Sequence, residues 1–217
     1  MGQANLFLFD RCNKHFGDNM DYYESNAKAF VESTLMVDMQ PLYQRFLPLL
    51  PKQAHILDAG CGSGRDAKYF IEQGYKVTAF DASAKIAALA EKEIGQPVSV
   101  QCLQDIQYQN QFDGIWACAS LLHVPSKELP GVFHRLARAL KPQGVIYCSF
   151  KYGQGEYEKQ GRRFTDMDEA GLQALVDKAD GLVIKELWVT ADRRPGREQE
   201  RWLNGVLVGG NGCRERV

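Results

Sequence analysis

One heptapeptide, Asp58-Ala59-Gly60-Cys61-Gly62-Ser63-Gly64, constrains this chain more than any other stretch. It follows the short apolar run His55–Asp58 and precedes residues 65–73, which read as a helix stopped by Gly74. Three glycines at alternate positions let the backbone turn tightly and approach a ligand with no Cβ in the way. A strand, a glycine loop and a helix in that order point to a parallel sheet covered by helices.

The surrounding sequence keeps the same rhythm. Lys76–Phe80 reads as a second strand ending at Asp81, and residues 83–94 as a helix with Ser83 as N-cap and Gly95 as stop. Pro97–Leu103 is a third strand, Phe112–Ala119 a fourth, and Val145–Phe150 a fifth, with a helix over 126–140 between the last two. Residues 20–50 carry one or two helices. Beyond 150 the pattern changes. Residues 151–164 look like a polar loop and 168–179 like a helix. Leu182–Thr190 and Trp202–Val208 read as strands close enough to pair antiparallel. The tail 209–217 reads as frayed. The expected organisation is a single domain over 1–217, with a helical lid at 20–50, a ligand-binding core at 51–150 and substrate-side loops and a β-hairpin at 151–208.

Composition narrows the partners. Of 217 residues, 45% are hydrophobic, enough for a sizeable core, and the formal net charge is −1. That balance gives no reason to expect nucleic acid or an anionic membrane. No apolar run approaches the roughly 20 residues of a membrane span. The opening segment lacks the basic start and apolar length of a signal peptide, so a cytoplasmic setting is expected. Six cysteines, at 12, 61, 102, 118, 148 and 213, include no C-x-x-C pair. Cys102, Cys118 and Cys148 are expected as buried reduced thiols. No two of the four histidines have metal-ligand spacing, so no metal site is expected.

Charge distinguishes two ligands for the glycine loop. Gly62-x-Gly64-x-x-Ala67 fits a dinucleotide fingerprint, but a pyrophosphate at the helix start wants uncompensated positive potential. Asp58 lies at the base of the loop and Asp66 in the first helical turn, and Arg65 can offset only one of them. A cationic, phosphate-free nucleoside such as S-adenosylmethionine suits the loop better. Asp81, 17 residues after Gly64, can accept hydrogen bonds from both ribose hydroxyls. Asp105 and Ile106 can meet an adenine amino group and ring.

The runs I-L-D-A-G-C-G-S-G-R-D, F-D-A-S, F-D-G-I-W-A-C-A-S-L-L-H-V and L-K-P-Q-G-V-I-Y together resemble class I S-adenosylmethionine-dependent methyltransferases. Within them the chain is similar to the bacterial small-molecule branch, labelled tellurite-resistance-like or ubiquinone-biosynthesis-like. The resemblance spans about residues 20–208. It implies a Rossmann-like three-layer α/β sandwich with a mostly parallel seven-stranded sheet whose last strand is antiparallel. It also implies S-adenosylmethionine as cofactor, S-adenosylhomocysteine as product, and methyl transfer to a small molecule on O, N, S or a metalloid. Carried over, the pattern puts the cofactor's amino-acid portion at Asp58, Gly60 and Gly62, with Cys61 and Arg65 in the same loop. Ribose falls to Asp81 and Ala82, adenine to Asp105 and Ile106, and the methionine side to Ala119. Tyr22, Tyr23 and Asn26 fall where related enzymes close a lid.

On the acceptor side, His123 follows the fourth strand and reads either as a base or as a residue satisfied by local hydrogen bonds. Cationic residues gather later, at Lys151, Arg162, Arg163, Arg193, Arg194 and Arg197. Arg162, Arg194 and Arg197 are candidates for an anionic acceptor, because arginine forks match carboxylates. Interleaved acids leave an ordinary solvated loop as the alternative. Trp188 and Trp202 read as packing residues. Methylation of tRNA or protein, or cofactor binding without catalysis, remain the competing functions.

Overall fold

A seven-stranded sheet in the order β3-β2-β1-β4-β5-β9-β8 organises the molecule. The structure is a computed structural model that describes residues 18–179 and 181–210. Cys12, His15, Cys213 and most of the tail expected to fray lie outside the described residues.

Two helices, α1 (Asp18–Thr34) and α2 (Gln40–Phe46), precede the sheet. Then β1 (His55–Ala59), α3 (Arg65–Glu72), β2 (Lys76–Asp81), α4 (Ala84–Ile94), β3 (Val98–Val100) and β4 (Phe112–Ala117) alternate as expected. The chain continues through α5 (Leu129–Ala139), β5 (Leu140–Lys151), β6 (Gly155–Lys159), β7 (Arg162–Asp166), α6 (Glu169–Val176), β8 (Leu182–Ala191) and β9 (Arg201–Gly209). Strands β1 to β5 pair in parallel. β9 runs antiparallel to both β5 and β8, so it alone is reversed.

Alternation along each strand sends neighbouring side chains to opposite faces. Leu57, Ile115 and Ile146 join Phe133, Leu136 and Leu172 of α5 and α6 on one side. Ile56, Trp116 and Tyr147 join Phe46, Phe70 and Ala87 of α2, α3 and α4 on the other. The result is three layers with both sheet faces covered, which requires β1 to be buried along its whole length. The helix ends follow their caps. Ser83 Oγ accepts the Ile86 N–H at the start of α4, and Gly95 closes it with φ of 70°.

Two expectations fail. The polar loop expected over 151–164 instead contributes to the β6–β7 hairpin, which spans 155–166 around Gln160 and Gly161, both at positive φ. Every residue of β6 is exposed, so no apolar alternation marks it. Cys102 is wholly buried as expected but disulfide-bonded, whereas Cys61, Cys118 and Cys148 are free thiols. Cysteine spacing gave no sign of that bond. Among the described residues, no helix is long and apolar enough to cross a membrane, and no His/Cys/Asp/Glu group could hold a metal ion.

Candidate active site

Parallel strands bring the carboxyl ends of β1, β2, β4 and β5 to one edge of the sheet. There the loops after them enclose a cavity of about 310 Å³ with α1, the β6–β7 hairpin and the β8–β9 connection. Open α/β sheets bind ligands at this edge.

The glycine loop forms one wall. Gly60 and Cys61 N–H both donate to the Phe80 carbonyl, pinning the loop to β2. Gly60 has φ of +83°, and a Cβ there would lie 2.6 Å from Ser120 Cβ. Gly64, at φ +78°, caps α3 and packs so near Ala90 and Ile94 that a Cβ would crowd them. These positions demand glycine for backbone conformation and for close approach.

Three carboxylates surround this loop and differ in how they are satisfied. Asp66 is buried. The Arg65 fork donates to both its oxygens at 2.7 and 2.9 Å, Trp116 Nε1 donates at 2.8 Å, and the Tyr43 hydroxyl donates as well. Burial opposes its ionisation, but the Arg65 charge and these donors hold it below the usual carboxylate range. Asp81 lines the cavity at the end of β2. It accepts Gly62 N–H and Ser83 N–H, each at 3.0 Å, and burial pushes it up to about 6 against the pull of those donors. Asp58 lies beneath the loop, 2% exposed, and one of its oxygens has no hydrogen-bond partner. Burial, with Asp66 nearby, pushes it well above the usual range. Arg65 thus offsets one acid of the three, as its position in sequence suggested. Among the described residues no salt bridge reaches Asp58 or Asp81. An orphaned buried carboxylate oxygen and an unpaired cavity carboxylate fit a cationic nucleoside and oppose a pyrophosphate.

Gly60, Cys61, Gly62, Arg65, Asp81, Ala82, Ala119 and Tyr23 all line the cavity. Ala119 has φ of 53°, and its N–H donates to Ser149 Oγ at 2.8 Å. Four expected positions differ, the first being Asp58, which lies beneath the glycine loop and does not line the cavity. Asp105 and Ile106 do not line the cavity. Ile106 is 1% exposed in the core beside Leu57 and Phe80, because the chain turns through a short 3-10 segment at Leu103–Asp105. Gln101 and Leu103 stand at that wall instead, and Asp105 keeps one buried oxygen without a partner behind it. Tyr22 sits outside the wall, its ring under the Arg162 guanidinium at 4.1 Å.

Helix α1 closes the cavity from above. Glu24 accepts from Ser83 Oγ at 2.7 Å and from Lys85 N–H at 3.1 Å, tying α1 to the start of α4. Asn26, counted with the lid, donates to the Tyr22 carbonyl within the helix. Tyr23 Oη lies 2.8 Å from His123 Nε2, tying α1 to the turn after β4. His123 Nδ1 lies 2.9 Å from the Arg163 carbonyl, so both ring nitrogens are engaged. Burial pushes its pKa down to about 4, which weakens it as a base. His123 is therefore satisfied by hydrogen bonds, although it does face the cavity.

The three candidate arginines all reach the cavity and differ in their partners. Arg194 forks onto Asp192, through Nε at 2.9 Å and through Nη2. Arg197 lies 3.4 Å from Glu200, which also pairs with Lys151 at 3.3 Å. Arg193 pairs with Asp38 at 2.8 Å. Arg162 has no carboxylate partner among the described residues. It is held between the rings of Tyr22 and Phe164, and its Nε is buried without a partner.

Several lining residues escaped the sequence reading. Asn204 accepts the Tyr147 hydroxyl at 2.7 Å, and its place as the only polar side chain in the apolar run 202–208 was a legible signal. Trp202 lines the cavity and donates to Asp192 at 3.0 Å, beyond mere packing. Trp188 packs against Tyr147, as expected of a packing residue. Lys159 and Phe30 carry no local signature.

Comparison with known proteins bears on the domain and the fold. Residues 56–144 match the family described as a methyltransferase domain. The chain is 35% identical over 146 residues to malonyl-[acyl-carrier protein] O-methyltransferase of Enterobacter lignolyticus, covering 66% of this chain and 52% of that protein. It is 32% identical over 108 residues to ubiquinone biosynthesis O-methyltransferase of Xanthomonas axonopodis pv. citri, covering 46% and 44%. The chain thus spans about half the length of the curated relatives it matches. Its fold resembles Burkholderia thailandensis 1,6-didemethyltoxoflavin-N1-methyltransferase, solved with its substrate and S-adenosylhomocysteine, with a TM-score of 0.75 at 22% identity over 89% of this chain and 88% of that one. The matched domain, the strand order and the glycine loop between strand-end acids agree: residues 56–144 carry a methyltransferase domain, and the chain is similar in sequence and fold to S-adenosylmethionine-dependent methyltransferases.

Proposed function

We propose that this chain transfers the methyl group of S-adenosylmethionine to a small acceptor that carries a negative charge. The observation that carries the first half is the pair Asp58 and Asp81, two carboxylates that no salt bridge reaches among the described residues, one beneath a loop of left-handed glycines and one in the cavity wall. Asp81 would take the ribose hydroxyls, with Ala82 beside them. Asp58 would supply negative potential beneath the amino-acid portion, and the loop backbone would meet it directly. Gln101 and Leu103 would flank the adenine, with the unpartnered oxygen of Asp105 behind them. When bound, the cofactor supplies an electrophilic methyl on a sulfonium, so the protein has mainly to align the acceptor and exclude water. Helix α1 provides the cover, through Glu24 on one side and Tyr23 on the other.

The anionic acceptor rests on Arg162. Lys151, Arg193, Arg194 and Arg197 all have carboxylates within ion-pair distance, whereas the Arg162 fork meets only neutral partners, Gln160 Oε1 at 3.2 Å and the Tyr23 hydroxyl, so its charge is left for the ligand.

The test mixes the protein with methyl-labelled S-adenosylmethionine and the small-molecule fraction of a cell extract, then separates products on an anion exchanger. Label should appear in retained small molecules, and Arg162→Gln should lose most of it. Label in unretained compounds would refute the anionic acceptor. Label on RNA or protein would replace the small-molecule reading. Tight S-adenosylhomocysteine binding with no transfer to any fraction would make the chain a binding module.

A further inference from the structure

Hydrogen-bond direction can be followed from the Arg163 carbonyl into the cavity. A carbonyl oxygen only accepts, so His123 Nδ1, 2.9 Å away, carries the ring proton. The ring is buried and neutral, which leaves Nε2 a bare lone pair. Tyr23 Oη lies 2.8 Å from Nε2, so the phenol must spend its own hydrogen there. The Tyr23 oxygen then has only lone pairs to offer, one toward the Arg162 guanidinium and one toward the cavity, which Tyr23 lines with Ala119, Ser120 and Arg162. Three elements fix this arrangement: α1 supplies Tyr23, the turn after β4 supplies His123, and β7 supplies the carbonyl.

We propose that Tyr23 Oη is a fixed hydrogen-bond acceptor for the methyl-accepting atom and takes the proton that atom gives up. This rests on the methyltransferase reading above and narrows its substrate class to an anion that carries an O–H or N–H at the reacting position. The acceptor's O–H or N–H donates to Tyr23 Oη, which fixes a lone pair for attack. As that lone pair forms the bond to the methyl carbon, the carbon–sulfur bond breaks and its electrons stay on sulfur. The acceptor proton passes to Tyr23 Oη, and the Tyr23 proton passes to His123 Nε2. The positive charge lost from sulfur thus ends on the imidazole, which returns the proton to solvent. A product methylated on oxygen has no hydrogen left to donate there and loses this contact. His123 orients the Tyr23 hydroxyl and receives its proton, and Arg162 holds the charged end of the acceptor.

Two measurements test this. The first is nitrogen NMR of histidine-labelled protein at neutral pH with S-adenosylhomocysteine present, the His123 signals being those absent from His123→Gln. Nδ1 should bear the hydrogen and Nε2 should not, and Tyr23→Phe should shift Nε2. A protonated Nε2 would reverse the phenol and overturn the proposal. The second is label transfer by Tyr23→Phe, which keeps the ring packed on Tyr22 and Phe30. Transfer should fall about 100-fold, the scale of a general acid–base contribution, with S-adenosylhomocysteine affinity unchanged. Transfer within about twofold of the unaltered protein would overturn the proposal, twofold lying far below any such contribution. If the unaltered protein moves no label, the methyltransferase reading fails, while the histidine spectrum still decides the direction of the bond.

Discussion

The two ends of the cavity are built by different means. At the proposed cofactor end, the wall is mostly backbone. Gly60 and Cys61 N–H are fixed on Phe80, Gly62 N–H is fixed on Asp81, and the acids sit where parallel strands end. At the acceptor end, side chains from distant parts of the chain hold one another: Arg193 with Asp38, and Lys151 with Glu200. Backbone geometry tolerates few substitutions, whereas a network of ion pairs can lose members singly. The cofactor end should therefore be brittle and the acceptor end graded.

The sharpest break is Gly60→Ala. Its φ of +83° and the 2.6 Å approach to Ser120 together ask for a left-handed alanine in an occupied space. The cost should be about 2–5 kcal/mol, and calorimetry should detect no S-adenosylmethionine uptake. Normal uptake would mean the loop is not a rigid cradle. Next comes Asp81→Asn. Its amide N–H₂ would face Gly62 N–H or Ser83 N–H, donor against donor, and one ribose acceptor would be lost. S-adenosylhomocysteine affinity should fall by about 10- to 100-fold, equivalent to about 1.4–2.7 kcal/mol, with the fold intact by circular dichroism.

Acid should reproduce part of that loss. Ribose hydroxyls donate, so they favour ionised Asp81, whose pKa burial raises to about 6. Asp58, raised in the same direction, favours a cation only when ionised. Affinity should hold above pH about 6 and decline below it by about tenfold per unit for each group that titrates. A flat titration from neutrality to pH about 5 would remove Asp81 from cofactor binding, because a group with pKa near 6 is mostly protonated by then.

The same contrast explains what the sequence disclosed. Strands β1, β2 and β4, the caps Ser83 and Gly95, and the wall residues from Gly60 to Gly62 were legible because their signals are local: apolar runs, an N-cap hydroxyl, glycines at a strand end. Ile106 was misplaced because a 3-10 turn, invisible in composition, rotates it into the core. The β6–β7 hairpin was unreadable because β6 buries neither face. The arginines could be gathered to the cavity but not ranked. Whether Arg162 or Arg194 is free depends on Asp192, and whether Arg197 is free depends on Glu200, pairings set by tertiary structure. The Cys102 disulfide belongs to the same class of non-local information.

Arg194→Gln tests the graded side. It strips Asp192, itself 6% exposed, of its fork and leaves Trp202 Nε1 as the remaining side-chain donor to that carboxylate. Stability should fall by about 1–3 kcal/mol, or about 2–4 °C in Tm for each kcal/mol in a chain of this size. S-adenosylhomocysteine affinity should stay unchanged, because none of these contacts reaches the glycine loop.

Arg197→Gln should do least, and its small effect is informative. Its side chain is 40% exposed, it meets Glu200 at 3.4 Å, and Glu200 keeps Lys151 at 3.3 Å when Arg197 is gone. Exposed pairs of this kind contribute about 0–1 kcal/mol. If Arg197 only trims the charge of its neighbours, label transfer should stay within about fivefold of the unaltered protein, the rate equivalent of that range. Arg162→Gln, which removes a half-buried guanidinium with no carboxylate partner among the described residues, should lose most of its transfer. Were the two variants equally impaired, the anion would be held by the summed field of the loop and not by one fork. The acceptor end would then resemble an electrostatic funnel, and the ranking of its arginines by their partners would be wrong.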